Sequence, residues 1–251
     1  MSARRRVAWI PAGRWERSGH PPLIDRLEGA LAVGLRGVWP EDRCADLVRR
    51  IEAARPAWTA DFGGEQYALG RAFYTHLETG KADLYFAGAA ASDATVEGVL
   101  PGLQSEVCAL AGAMLGGTTR PRPGFCGPGV HVFPAGEKVA GEGGVIHFDT
   151  EGLTPRHLAR RARAVTLVVA LGLPDRGGAL RLWDIRYAGR DAPTEDELAS
   201  PSSAAHYRPG DALLLDSYRL HQIEPFRGTR DRITATVHAA EIDDHTWETW
   251  F

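Results

Sequence analysis

Cysteine is scarce in this chain. Cys44, Cys108 and Cys126 are the three in 251 residues, and none forms a CxxC pair. That excludes a disulfide framework and a zinc knuckle, and sparse unpaired thiols fit a reducing cytoplasm, the expected location. Long apolar runs are missing too. The longest, Ala164 to Leu173, is half of what spans a bilayer, so no membrane partner is expected. The apolar residues behind Arg4–Arg6 stop at Pro11, too early for a secretory leader. An excess of positive charge is also absent. Lys and Arg number 29 against 32 Asp and Glu, a net charge of −3. A chain that is not basic overall lacks the field that non-specific nucleic-acid binding needs, so no nucleic-acid partner is expected. Repeats, low-complexity blocks and linker-like segments do not occur, so residues 1–251 read as one domain.

What is present changes character near Gly116. Residues 1–22 read as an irregular, Arg/Gly/Pro-rich lead-in, and Ala32 to Val38 as a short strand. WPEDRCADLVRRIEAARP reads as a helix, with Pro40 near its start, acidic residues in its first turn and an apolar stripe of Leu47, Val48 and Ile51. Gln66 to Leu77 carries a possible strand. Ala94 to Leu115 reads as helix, interrupted or begun at Pro101-Gly102. Beyond Gly116 come short strand-like runs between Gly and Pro: Gly129–Phe133, Val145–Phe148, Val165–Leu171, Ala179–Trp183, Ala212–Leu215 and Ile233–Ala239. The expectation is a mainly β chain with α. Residues 1–117 form a helical support, residues 118–240 an antiparallel barrel, and residues 241–251 a tail.

The chemistry concentrates in GGVIHFDTEG. On extended backbone, His147 and Asp149, two apart, point to one spot. LLLDSYRLHQIEPFRG offers His221 as a third donor. Two His and one carboxylate on one face of a metal make the facial triad of non-haem iron oxygenases. Alone, an HxD pair in a chain with nine histidines is common by chance and usually structural. Eleven residues after His221, Arg232 and Thr234 share a strand face; a guanidinium fork with a hydroxyl suits a carboxylate. Arg230 has the same parity and stays the second choice.

Together these motifs resemble the Fe(II)/2-oxoglutarate-dependent oxygenase superfamily, in its prolyl-hydroxylase-like branch. RGGALRLWD is similar to that branch's GG-x-L strand. YRPGDALLLDSYRLHQIEP is similar to its distal-histidine segment, and VHVFPAGEKVAGEGGVIHFD to its lead-in, with Phe133 where tyrosine is usual. VWPEDRCADLVRRIE resembles its opening helix. The likeness runs over residues 30–240.

The resemblance implies a double-stranded β-helix, a jelly-roll or cupin-like barrel backed by N-terminal helices. It implies His147, Asp149 and His221 as ligands of Fe(II), with 2-oxoglutarate and O2 filling the remaining positions. Arg232 and Thr234 would hold the far carboxylate of 2-oxoglutarate. Thr166 would replace the hydroxyl missing at Phe133. His131 would touch the cosubstrate or the substrate, or serve as a core histidine. In the halogenase branch Gly or Ala stands at the Asp149 position, freeing a site for halide, so this chain resembles a hydroxylase. The expected reaction is hydroxylation of a C–H bond of a small molecule, an amino acid or natural-product intermediate, releasing succinate and CO2.

A peptidyl prolyl-type hydroxylase is the alternative within the superfamily. Nucleic-acid demethylases carry a second arginine where this strand has His238. A non-catalytic cupin-like sensor is the alternative of another class, although cupins read HxH. LTPRHLARRAR, after the metal motif, is a solvated charged segment or an acidic-group contact; Glu151 and Arg156, in the loop after HxD, reach substrate or are solvated loop charges. The aromatic tail EIDDHTWETWF packs on the barrel, closes a pocket or makes a homodimer contact.

Overall fold

The computed structural model describes residues 5–251; the start of the Arg-rich lead-in, residues 1–4, lies outside them. A ten-stranded sheet dominates. Its main path runs Val7–Pro11, Ala32–Arg36, Ala212–Asp216, Ala164–Gly172, Arg232–Asp243, Gly129–Phe133, Gln66–Leu69, Thr59–Asp61. A three-stranded sheet of Ser202–Ala205, Leu180–Arg186 and Arg219–Ile223 lies across a cavity from it. This is the expected barrel.

Period-two alternation decides what each face of the large sheet does. On the Arg232 strand, Ile233, Ala235, Val237 and Ala239 are buried against the helices. Arg232, Thr234, Thr236 and His238 face the cavity. The neighbouring strands repeat the pattern. Val165, Leu167 and Val169 join the helix-side core while Thr166 and Val168 line the cavity. Val130 and Val132 do the same against His131 and Phe133. The helix Glu41–Ala53 supplies Cys44, Leu47 and Ile51 to that core, and Leu103–Leu115 supplies Val107, Ala111 and Met114.

Several expectations need correcting. The lead-in is not irregular. Val7–Pro11 pairs in parallel with Ala32–Arg36, and Ala12–Arg17 is helical. Trp9 lies where a Cβ on Gly34 would be, 2.2 Å from its ring, so the pairing depends on that glycine. The 66–77 segment is a strand to Leu69 followed by the helix Phe73–Glu78. Helix begins earlier than Ala94, at Ala82, and breaks after Val99; Gly102, at φ +81°, starts the next helix. Among the described residues, the first 117 contribute four of the ten strands, so that part is not purely helical support. Val145–Phe148 is not a strand but an extended segment with a single bridge, His147 to His221.

The tail forms a strand, Thr246–Trp250, paired on one side with the Arg232 strand and on the other with Thr118–Pro121. Both of its edges are therefore occupied. Phe251 ends against Gly129, whose hydrogen leaves room for the ring: a Cβ there would lie 2.1 Å from it. Among the described residues no single helix is long and apolar enough to cross a membrane.

Candidate active site

His147 and His221 are joined backbone to backbone, each N–H donating to the other's carbonyl at 3.0 Å. Asp149 N donates to Ser217 O at 2.9 Å, which fixes the next residue but one against the same strand region. Phe148, between them, turns the other way into a small core with Trp183 and Leu220. The alternation anticipated from HxD therefore holds, although the segment is not a strand.

Each imidazole is oriented by a carbonyl. His147 Nδ1–H donates to Val145 O and His221 Nδ1–H to Arg219 O, both at 2.8 Å. A carbonyl only accepts, so Nε2 of each ring is left as the free lone pair. Asp149 Oδ1 lies 3.4 Å from His147 Nε2 and 3.5 Å from His221 Nε2. Metal bonds of about 2.1 Å at right angles place neighbouring donors roughly 3 Å apart, so little adjustment would seat an octahedral ion. The three donor atoms lie within 4.8 Å of one another. Burial opposes ionisation of Asp149, yet the two imidazoles hold it well below the usual carboxylate range.

The other carboxylate oxygen has its own partner. Thr166 Oγ1 donates to Asp149 Oδ2 at 2.5 Å and lies 3.0 Å from His238 Nδ1. The His238 ring in turn stacks on Trp250, at 5.9 Å and 23°. This corrects the reading of Thr166 as a cosubstrate ligand: its hydroxyl is engaged by the metal carboxylate, whose Oδ1 it leaves facing the histidines. Such outer partners orient metal ligands. Thr166→Val, nearly the same shape without the hydroxyl, is expected to weaken Fe(II) binding by about 10–100-fold. Thr166→Ser should restore it. Chelator competition measures both; an unchanged affinity in the valine variant removes the orienting role.

Arg232 is 2% exposed, and its Nε donates to Gly178 O at 3.0 Å. The guanidinium lies between the rings of Phe133 and Tyr207, 5.5 and 5.7 Å from their centroids. Among the described residues no carboxylate pairs with it, so a buried positive charge faces the cavity without a counterion. An anionic ligand fits that vacancy of charge. Thr234, on the same face, lines the cavity. Arg230, the second choice, instead pairs with Asp175 at 2.7 Å, exposed. Tyr207, which the sequence did not single out as a site residue, brings its ring and a buried, unpartnered hydroxyl beside Arg232, where Phe133 has no hydroxyl. Only the tertiary contact reveals it.

The cavity holds about 430 Å³, and the three candidate metal ligands and Arg232 all line it. Phe73, Tyr74, Trp250 and Phe251 wall it, so the tail closes the pocket. His131 also lines it, against Tyr74 at 5.8 Å and Phe251 at 4.7 Å. Burial pushes its pKa down to about 3, so it is a neutral imidazole, and its Nδ1 has no partner. Glu151 lines the cavity, and so does Glu78, a contribution from the Phe73–Glu78 helix that the sequence did not disclose. The segment after the metal motif forms a short helix, Pro155–Arg160, capped by Thr154. Of its residues, Arg156 does not reach the cavity wall.

Residues 19–247 match the family model of the carrier-protein-independent halogenase WelO5. The chain belongs to this family. It is thereby a member of the Fe(II)/2-oxoglutarate-dependent oxygenase superfamily, with iron and 2-oxoglutarate as cofactors. Comparison with curated proteins gives no match. Among solved structures, the carbocyclase SnoK of nogalamycin biosynthesis is 16% identical, with a TM-score of 0.55 over 88% of this chain and 83% of that one. The epimerase SnoN, solved with Fe3+, alpha ketoglutarate and nogalamycin RO, is 16% identical, with a TM-score of 0.52 over 92% and 87%. An N-substituted L-amino acid dioxygenase from Burkholderia ambifaria AMMD is 15% identical, with a TM-score of 0.54 over 91% and 90%. At these identities the likeness is one of fold.

Proposed function

We propose that this family member hydroxylates a C–H bond of a small molecule, using Fe(II), 2-oxoglutarate and O2 and releasing succinate and CO2. One observation carries the reading. Asp149 offers Oδ1 to both histidine Nε2 atoms while Thr166 holds Oδ2. A carboxylate thus occupies the third protein position, which a halogenase needs for halide.

The chain's own residues would act as follows. His147, Asp149 and His221 hold the metal on one face and leave the opposite face to ligands. Arg232 takes the far carboxylate of the cosubstrate by charge-assisted hydrogen bonds, with the Thr234 hydroxyl beside it. The Phe133 and Tyr207 rings hold the guanidinium from both sides and keep water from it. The aromatic wall excludes bulk water from the reacting carbon. Iron with 2-oxoglutarate and oxygen supplies the oxidising power that removes hydrogen from an unactivated C–H bond. A cavity of about 430 Å³ supports a small-molecule substrate over a peptide.

The second reading, halogenation, is favoured by the family's description. Anaerobic titration of 2-oxoglutarate into Fe(II)-loaded protein distinguishes them. A visible charge-transfer band that chloride and bromide do not shift is expected. Its loss in His147→Ala ties it to this site. A halide-dependent shift in the wild type would establish the halogenase reading, and no band from iron-loaded protein would end both.

A further inference from the structure

Two carboxylates in the cavity have no part in the iron chemistry. Glu151 follows Asp149 by two residues, and Glu78 ends the helix Phe73–Glu78; both line the cavity. A third, Glu65, pairs with Lys138 at 2.9 Å, so the lysine of this wall is already engaged. Neither Glu78 nor Glu151 forms a salt bridge among the described residues. The centre itself is balanced: a divalent iron and Arg232 offset Asp149 and the two carboxylates of 2-oxoglutarate. Glu78 and Glu151 are therefore the carboxyl groups of this wall left without a basic partner among the described residues. Glu151 is half-buried, and a carboxylate there beside apolar surface is costly unless a cation meets it; Glu78 stands at the exposed rim of the same wall.

The walls around them are aromatic. Phe62, Phe73, Tyr74 and Trp250 line the same space, and aromatic walls suit cations as well as apolar bodies. A separate observation is an unpartnered polar atom in the same wall. His131 is 7% exposed, its ring lies against Tyr74 and Phe251, and its Nδ1 is buried without a partner. A buried polar atom of this kind is met by ligand or water rather than left empty.

From these features we infer that the substrate is a lipophilic amine, protonated at neutral pH, with its ammonium group between Glu78 and Glu151 and its ring-bearing body along the aromatic wall. The inference rests on the hydroxylase reading only for the identity of the site; the charge argument holds for halogenation as well. A negatively charged substrate would meet two unpaired carboxylates and no free cation beyond Arg232, which the cosubstrate takes.

The test uses full-length protein loaded anaerobically with Fe(II) and 2-oxoglutarate. Matched sets of arylalkyl and tricyclic amines, their N-acetyl counterparts and carboxylic acids of similar size are titrated calorimetrically. The amines are expected to bind at least about tenfold more tightly than their acetylated partners, a difference typical of one charge-assisted contact. Glu78→Gln and Glu151→Gln should each reduce that preference several-fold, and the double variant should abolish it. Glu78 is exposed at a helix end, so its substitution leaves folding intact and the test stands on it alone if Glu151→Gln is unstable. Equal or tighter binding of the neutral or acidic sets, a preference that survives the Glu78→Gln change, or no binding by any set would overturn the inference. Loss of the charge-transfer band in the wild type is a different result, and would count against the oxygenase reading instead.

Discussion

Asp149→Gly is expected to lower 2-oxoglutarate turnover by about 100-fold or more and to make the iron site sensitive to halide. Losing even an outer partner of a metal ligand costs roughly 10–100-fold, and in the proposed function Asp149 is a ligand itself. The change removes the oxygen that lies 3.4 and 3.5 Å from the two histidine nitrogens. It also strips Thr166 of its acceptor, leaving that hydroxyl to His238 and Ser217, at 3.0 and 3.3 Å. The two histidines keep their carbonyl anchors, so they stay aimed at the same point. Chelator competition for Fe(II), and charge-transfer spectra with and without chloride, would show a weaker site whose band now moves with chloride. A variant that keeps wild-type turnover and stays indifferent to halide would mean that Asp149 is not a ligand, and the hydroxylase reading would fall with it.

Arg232→Met is expected to separate cosubstrate affinity from stability. Removing one partner of a buried charge pair costs about 2–5 kcal/mol of binding, which raises the 2-oxoglutarate Kd by roughly 30-fold to several thousand-fold. The folded protein without cosubstrate should lose little. In it the guanidinium is buried without a carboxylate partner, so folding bears its desolvation, and methionine removes that cost at similar volume. Against this stands one lost hydrogen bond to Gly178 O, worth about 1 kcal/mol. The melting temperature should therefore hold or rise while affinity collapses. Arg232→Lys keeps the charge but loses the planar fork, so it should recover only part of the affinity. Calorimetric titration and thermal melts measure the two effects separately. A large fall in melting temperature with unchanged affinity would identify Arg232 as structural.

Much of the site was legible because it depends on covalent geometry. His147 and Asp149 share a direction on any extended backbone, so the pair survived even though Val145–Phe148 proved to be one bridge rather than a strand. Arg232 and Thr234 share a face for the same reason, and the same period of two separated the helix-side residues Ile233 and Ala235 from the cavity. The aromatic tail announced a packed segment and left three roles open, closing a pocket among them; the tertiary structure put Trp250 and Phe251 in the cavity wall. The parallel strand Val7–Pro11 gave no signal, because a short edge strand is defined by its partner rather than its own pattern.

The sequence by itself determined the donor set, the fold class and the alternation that points donors inward, since residue type and backbone period act over two or three positions. The tertiary structure decided the rest. It chose Arg232 over Arg230 by giving Arg230 to Asp175 at the surface. It turned Thr166 toward Asp149, brought Tyr207 beside the guanidinium, and put Glu78 and Glu151 in the wall of one cavity. Each of these contacts joins segments far apart in the chain, and which distant segments meet is settled by packing of the whole core rather than by local preference.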